Sequence, residues 1–122
     1  MEKAKKTLVL GASENPARYS NMAINRLRTH KHPVVAIGNR KGKVNDVEII
    51  TEHPAMDDID TITLYLNPTN QVPYYDYIMS LKPRRVIFNP GTENDELEKK
   101  LVQKGVITQE ACTLVMLATG QY

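Results

Sequence analysis

Thr7-Leu8-Val9-Leu10-Gly11-Ala12-Ser13 is a short apolar run that ends in glycine and two small residues. The loop Glu14-Asn15-Pro16-Ala17-Arg18-Tyr19 follows, and from Ser20-Asn21 onward the spacing turns helical, with Ala23, Ile24 and Leu27 on one face of Met22–Arg28. A strand that breaks at glycine just before a helix aims backbone N–H groups and the positive end of the helix dipole at one spot. Such a spot suits an anion, above all a phosphate. Arg18 and Ser20 add side-chain donors in the same place. The opening residues therefore point to an α/β chain that holds a nucleotide-type ligand.

Working outward, further apolar runs recur between polar segments. Val34–Ile37, Ile62–Leu66 and Val86–Phe88 are short and nearly continuous, as parallel strands buried on both faces are. Val47–Ile50 and Val106–Thr108 repeat the pattern more weakly. Tyr75, Ile78 and Met79 define a helix within Asn70–Lys82, closed by Pro83, and Leu97, Leu101 and Val102 define another over Asp95–Lys104. Thr92 stands three residues before Asp95 as a capping-box start, and Gly105 stands where a C-terminal cap belongs. Between Val47–Ile50 and Ile62–Leu66 the expectation is a loop with one turn of helix. Strand and helix alternate, which predicts a three-layer α/β fold with a mostly parallel twisted sheet of about five strands. With 122 residues and no linker or repeat, residues 1–122 are expected to form a single domain.

Composition narrows the function classes. Sixteen basic against 14 acidic residues leave a net charge of +2, too balanced to call for a nucleic-acid partner. No run approaches the roughly 20 apolar residues of a membrane span, and the four after the charged start are too few for a signal peptide. A cytoplasmic address and no membrane partner are expected. The lone Cys112 excludes an internal disulfide and reads as a small buried hydrophobe. His30, His32 and His53 lack metal-ligand spacing, so no metal is expected, and His30 and His32 read as solvent-exposed near a helix end. Tyr74, Tyr75 and Tyr77 read as partly buried core residues. No catalytic constellation emerges: the phosphate-loop lysine, the nucleophile elbow and the zinc signatures are all missing.

In a parallel sheet, ligands bind outside the carboxyl ends of the strands, where strand order reverses. Those ends carry Gly11-Ala12-Ser13, Gly38-Asn39-Arg40-Lys41-Gly42-Lys43, Asn67-Pro68-Thr69-Asn70 and Asn89-Pro90-Gly91-Thr92. A NAD site places an acid at the second strand end to hold the ribose hydroxyls. Here that segment is cationic, with no acid until Asp46, which disfavours plain NAD and suits a phosphorylated ribose. NADP and coenzyme A both carry such a phosphate, and the residues alone leave both open.

With these residues in place, the chain resembles the small coenzyme A-binding proteins, Rossmann-like domains similar to the N-terminal domain of the succinyl-CoA synthetase α subunit. The likeness runs over about residues 5 to 118. It is carried by Val9-Leu10-Gly11-Ala12-Ser13, by Asn15-Pro16 with Arg18 and Ser20, and by Val35-Ala36-Ile37-Gly38-Asn39. Phe88-Asn89-Pro90-Gly91 and Gly105-Val106-Ile107 with Cys112 complete it. Arg40 stands where many members of the family carry proline. The resemblance implies a small-molecule nucleotide ligand, coenzyme A or an acyl-CoA, bound without catalysis. Gly11, Ala12, Ser13, Asn15, Arg18 and Ser20 would hold the diphosphate, and Asn39, Arg40 and Lys41 would face the phosphorylated ribose. Asn67, Pro68, Asn89, Pro90 and Gly91 would line the opposite wall. The alternatives are an NADP-binding module or small oxidoreductase, and an interaction subunit whose vestigial pocket serves a partner protein.

Overall fold

The strands lie in one seven-stranded sheet, in the order β3-β4-β2-β1-β5-β6-β7. They are β1 (Thr7–Leu10), β2 (Val34–Ile37), β3 (Gly42–Val44), β4 (Val47–Ile50), β5 (Thr61–Leu64), β6 (Arg85–Phe88) and β7 (Ile107–Glu110). The helices are α1 (Tyr19–Thr29), α2 (Pro68–Gln71), α3 (Tyr75–Leu81), α4 (Asp95–Gln103) and α5 (Thr113–Ala118). This is a computed structural model, and it describes residues 3–122.

Every residue of β1, β5 and β6 is buried, Thr7, Thr61, Thr63 and Arg85 included, in keeping with strands covered on both faces. Successive side chains still go to opposite faces. Leu8, Leu10, Ile62, Leu64, Val86 and Phe88 pack on one side with Ile78 and Leu81 of α3 and with Leu97 and Leu101 of α4. Val9, Ala36, Ile49 and Ile87 pack on the other with Ile24 and Leu27 of α1 and with Met116 and Leu117 of α5. The result is a three-layer, Rossmann-like α/β fold.

The chain winds outward from β1 in two directions. β1 pairs in parallel with β2 on one side and with β5 on the other. Strand order therefore reverses beside β1, and the carboxyl ends of β1, β2, β5 and β6 face a common rim.

Several elements differ from the sequence expectation. The sheet has seven strands rather than about five: both weaker candidates pair into it as β4 and β7, and Gly42–Val44 inside the supposed basic loop adds an antiparallel edge strand on β4. Its turn is Asn45-Asp46, with Asn45 at φ 56°. The helix expected over Asn70–Lys82 is broken: Pro73 has no N–H to donate, so Val72–Tyr74 forms a 3₁₀ turn between α2 and α3. α4 is capped by Asn94, whose side chain accepts from the Leu97 amide, and not by Thr92. The segment between β4 and β5 contains no helical turn. His32 is buried rather than exposed. Its Nδ1 accepts from the Lys5 amide at 2.9 Å and its ring lies 4.9 Å from that of Tyr122. Among the described residues, no helix is long and apolar enough to cross a membrane.

Candidate functional site

Gly11 leaves β1 with φ 91°, a conformation that side chains disfavour. Its amide and that of Ala12 both donate to the Ile37 carbonyl at 3.0 Å, folding the loop over the end of β2. A Cβ on Gly11 would sit 3.0 Å from the Tyr65 backbone, and one on Gly38 would strike the Ala12 carbonyl oxygen. The two glycines thus allow the ends of β1, β2 and β5 to close up around one spot.

Beyond Gly11 the loop is held by its own polar groups. The Asn15 amide donates to Ser13 Oγ at 3.1 Å, the Ala17 amide donates to Asn15 Oδ1 at 3.0 Å, and Asn21 Nδ2 donates to the Ser13 carbonyl at 3.0 Å. These bonds deliver the chain to α1 with Arg18 as N-cap. No side chain caps that helix start and its first turn carries no acid. The Asn21 amide donates to the Arg18 carbonyl at 3.1 Å, while those of Tyr19 and Ser20 have no intrahelical acceptor, so this end is electropositive. Ser20, in this first turn, is 3% exposed.

These residues form one wall of a cleft of about 720 Å³ at the strand-order reversal. Gly11, Ala12, Ser13, Arg18 and Ser20 line it, with Asn39 beside them, and Asn67, Pro90 and Gly91 stand on the opposite side. Asn15, Arg40 and Lys41 lie one step further out, around an adjoining cavity of about 210 Å³ that shares Ala12, Ser13 and Asn39 with the cleft. Lys41 Nζ lies 3.5 Å from a Glu52 carboxylate oxygen. The Glu52 carboxyl is held below its usual range by its own backbone amide and by Lys41.

Two expected wall residues lie elsewhere. Asn89 is 2% exposed and is bonded inside the fold: Nδ2 donates to Thr63 Oγ1 at 2.7 Å and to the Leu64 carbonyl, and Oδ1 accepts from the Thr113 amide at 2.9 Å. It ties β5, β6 and α5 together and does not face the cleft. Pro68 is the first residue of α2 and is exposed outside the lining. Its neighbour Asn67 caps α2, accepting from the Asn70 amide at 2.9 Å.

The sequence reading missed Tyr65, Leu66, Pro73 and Tyr74, which line the cleft together with Thr92. The buried Gln71 holds this wall: Nε2 donates to the carbonyls of Leu66 (2.8 Å) and Thr92 (2.7 Å), and Oε1 accepts from Asn94. Tyr65 sits over the buried hydroxyls of Thr63 and Thr113, and burial pushes its phenol well above the ordinary value. Tyr74 lies tilted against the His53 ring, with centroids 4.8 Å apart. The only available signal was Pro73, which marks the helix break that brings Tyr74 round to the rim.

Cleft, strand order and layers together define a Rossmann-like α/β protein. The family described as CoA binding domain matches residues 5–118, and the chain belongs to that family. Among solved structures, the crystal structure of an uncharacterized protein is 50% identical, with a TM-score of 0.96 over 99% of this chain and 100% of that one. A hypothetical protein from Pyrococcus horikoshii OT3 is 23% identical, with a TM-score of 0.86 over 96% of this chain and 84% of that one. A dinucleotide forming acetyl-coenzyme A synthetase 1 of Ca. Korarchaeum cryptofilum shares the fold at 17% identity, with a TM-score of 0.68 over 88% of this chain and 25% of that one. No curated protein sequence matches the chain.

Proposed function

We propose that the protein binds coenzyme A or an acyl-CoA non-covalently, as one domain, in the cleft at the reversal of strand order. The observation that carries this reading is the uncapped start of α1 opening on that cleft, with Arg18 and Ser20 in its lining. A diphosphate there gains first-turn amides, the Ser13 and Ser20 hydroxyls and the Arg18 guanidinium. The cleft volume of about 720 Å³ lies within the range of organic-cofactor sites. Membership of the CoA binding domain family supports the same ligand.

In this reading Arg40 and Lys41 face the phosphorylated ribose from the adjoining cavity. Asn67, Pro90, Gly91 and the Tyr74 ring border the path of the pantetheine arm. The lining consists of hydroxyls, amides, one guanidinium and apolar rings, chemistry that binds and orients a ligand. The biological output is then the delivery or sensing of a thioester.

Isothermal titration with CoA, acetyl-CoA, NADP and NAD at moderate salt tests the reading. Saturable heat with the CoA ligands and none with NAD supports it, and heat with NADP alone overturns it in favour of a dinucleotide module. Replacing Arg40 and Lys41 together by Ala is expected to weaken CoA roughly tenfold more than dephospho-CoA, the size of two surface-strength charge contacts. Equal losses would remove these two residues from the ribose phosphate.

A further inference from the structure

The basic segment after β2 is exposed, yet a carboxylate from the first loop is bonded to its backbone. Glu14 Oε2 accepts from the Lys43 backbone amide at 2.8 Å, bridging 29 positions of sequence. Gly42 makes room for this contact, since a Cβ there would strike Cγ and Cδ of Glu14. The same side chain lines the cavity of about 210 Å³ together with Arg40 and Lys41, and it is the one carboxylate in that lining. An acidic group thus occupies an amide donor, flanked by cations, at the end of the second strand, where a ribose phosphate would be received.

We infer that Glu14 is an internal counter-anion that determines how strongly the site favours a phosphorylated ribose. The inference rests on the CoA reading and specifies the selectivity of that same site. A dianionic phosphate and the Glu14 carboxylate compete for the Lys43 amide and for the field of Arg40 and Lys41. A phosphorylated ligand must therefore displace the carboxylate or bind against its charge. A ligand without the ribose phosphate leaves the Glu14 contact in place. The bond also closes the first loop onto β3, so displacement frees Glu14-Asn15-Pro16 from the hairpin. A phosphorylated ribose would thereby be reported at the mouth of the cleft.

Glu14→Gln separates charge from shape, because the amide oxygen can still accept from Lys43. Titration calorimetry of wild type and E14Q with CoA and dephospho-CoA is expected to show CoA about fivefold tighter in the variant, in keeping with one solvent-screened charge. Dephospho-CoA should stay within about twofold, as the Glu14 contact is not contested. Weakening of both ligands together would instead make Glu14 an acceptor for ribose hydroxyls and overturn the proposal, and so would no change in either.

A second measurement separates this failure from failure of the CoA reading. The Lys43 amide resonance should shift between wild type and E14Q. It should also move on adding adenosine 3′,5′-bisphosphate and not adenosine 5′-phosphate. A Lys43 amide indifferent to both overturns the Glu14 contact whatever the titrations with CoA show. If it responds while neither CoA ligand binds wild type, the CoA reading falls and the counter-anion stands.

Discussion

Gly38 and Asn89 show how single residues at one rim divide between shaping the site and holding it. Gly38 is required by space, because a Cβ would press on the Ala12 carbonyl and on the Ile49 side chain at 3.1 Å. Gly38→Ala must push the first loop off the end of β2, and overpacking of this kind costs about 1–3 kcal/mol. Because Ala12 and Ser13 move with the loop, CoA affinity should fall by about tenfold or more, equivalent to about 1.4 kcal/mol of lost contact. Urea melts and calorimetry on the same variant check both effects. A variant that loses stability yet binds CoA as wild type does would place the diphosphate away from this loop. Asn89 makes the complementary point. Its sequence context, Phe88-Asn89-Pro90-Gly91, resembles a ligand loop, but three buried hydrogen bonds consume its amide inside the fold. Which way such a side chain turns depends on Thr63 and Thr113, 26 and 24 residues away, and no local pattern encodes it.

Among the elements, those whose local pattern also records their burial were legible in advance. β1, β2, β5 and β6 announce themselves because strands largely covered on both faces are mostly apolar. The α1 end of the cleft is legible for a related reason: strand, glycine, loop and helix are contiguous in sequence, so the anion site is written in one stretch. β3 was not legible because Gly42-Lys43-Val44 is an edge of three residues whose only apolar side chain is Val44, and its pairing is supplied by β4. The far wall is assembled from α2, the 3₁₀ turn and the loop after β6, joined through Gln71, so its members have no common local signal. The β3–β4 hairpin also carries a prediction. Asn45 holds φ 56°, which asparagine tolerates and β-branched residues do not. Asn45→Val should destabilise the hairpin by about 1–2 kcal/mol. The Lys43 amide should then exchange faster with solvent, while the amides of β1 and β5 remain protected. Uniform loss of protection across the sheet would mean that β3 folds and opens with the core rather than as a separate edge.

Across the whole molecule the two ends of the sheet have opposite characters. The carboxyl rim is open and polar, whereas the amino ends of β1, β5 and β6 are closed by Tyr122. That ring lies against His32 and under the Arg85 guanidinium, 4.5 Å from its centroid, and its hydroxyl bonds to Thr7. Arg85 is 5% exposed; burial depresses its pKa, while Thr61 Oγ1 and the Tyr122 carbonyl accept from it. An interior cation held by a ring face and by oxygens of Thr61 and Tyr122 depends on that ring staying in place. Tyr122→Ala removes a buried aromatic and uncovers Arg85, so a loss of about 3 kcal/mol or more is expected in urea melts. Tyr122→Phe keeps the ring and loses only the bond to Thr7, which costs about 1 kcal/mol. The strands between this end and the cleft are four residues long, and their ladders do not pass through Tyr122. Nucleotide affinity measured on the folded variants should therefore match wild type within about twofold, as for distant, independent sites. A tenfold change in CoA affinity for Tyr122→Phe, whose fold is least disturbed, would instead show that closing the amino end of the sheet sets the geometry of the carboxyl rim.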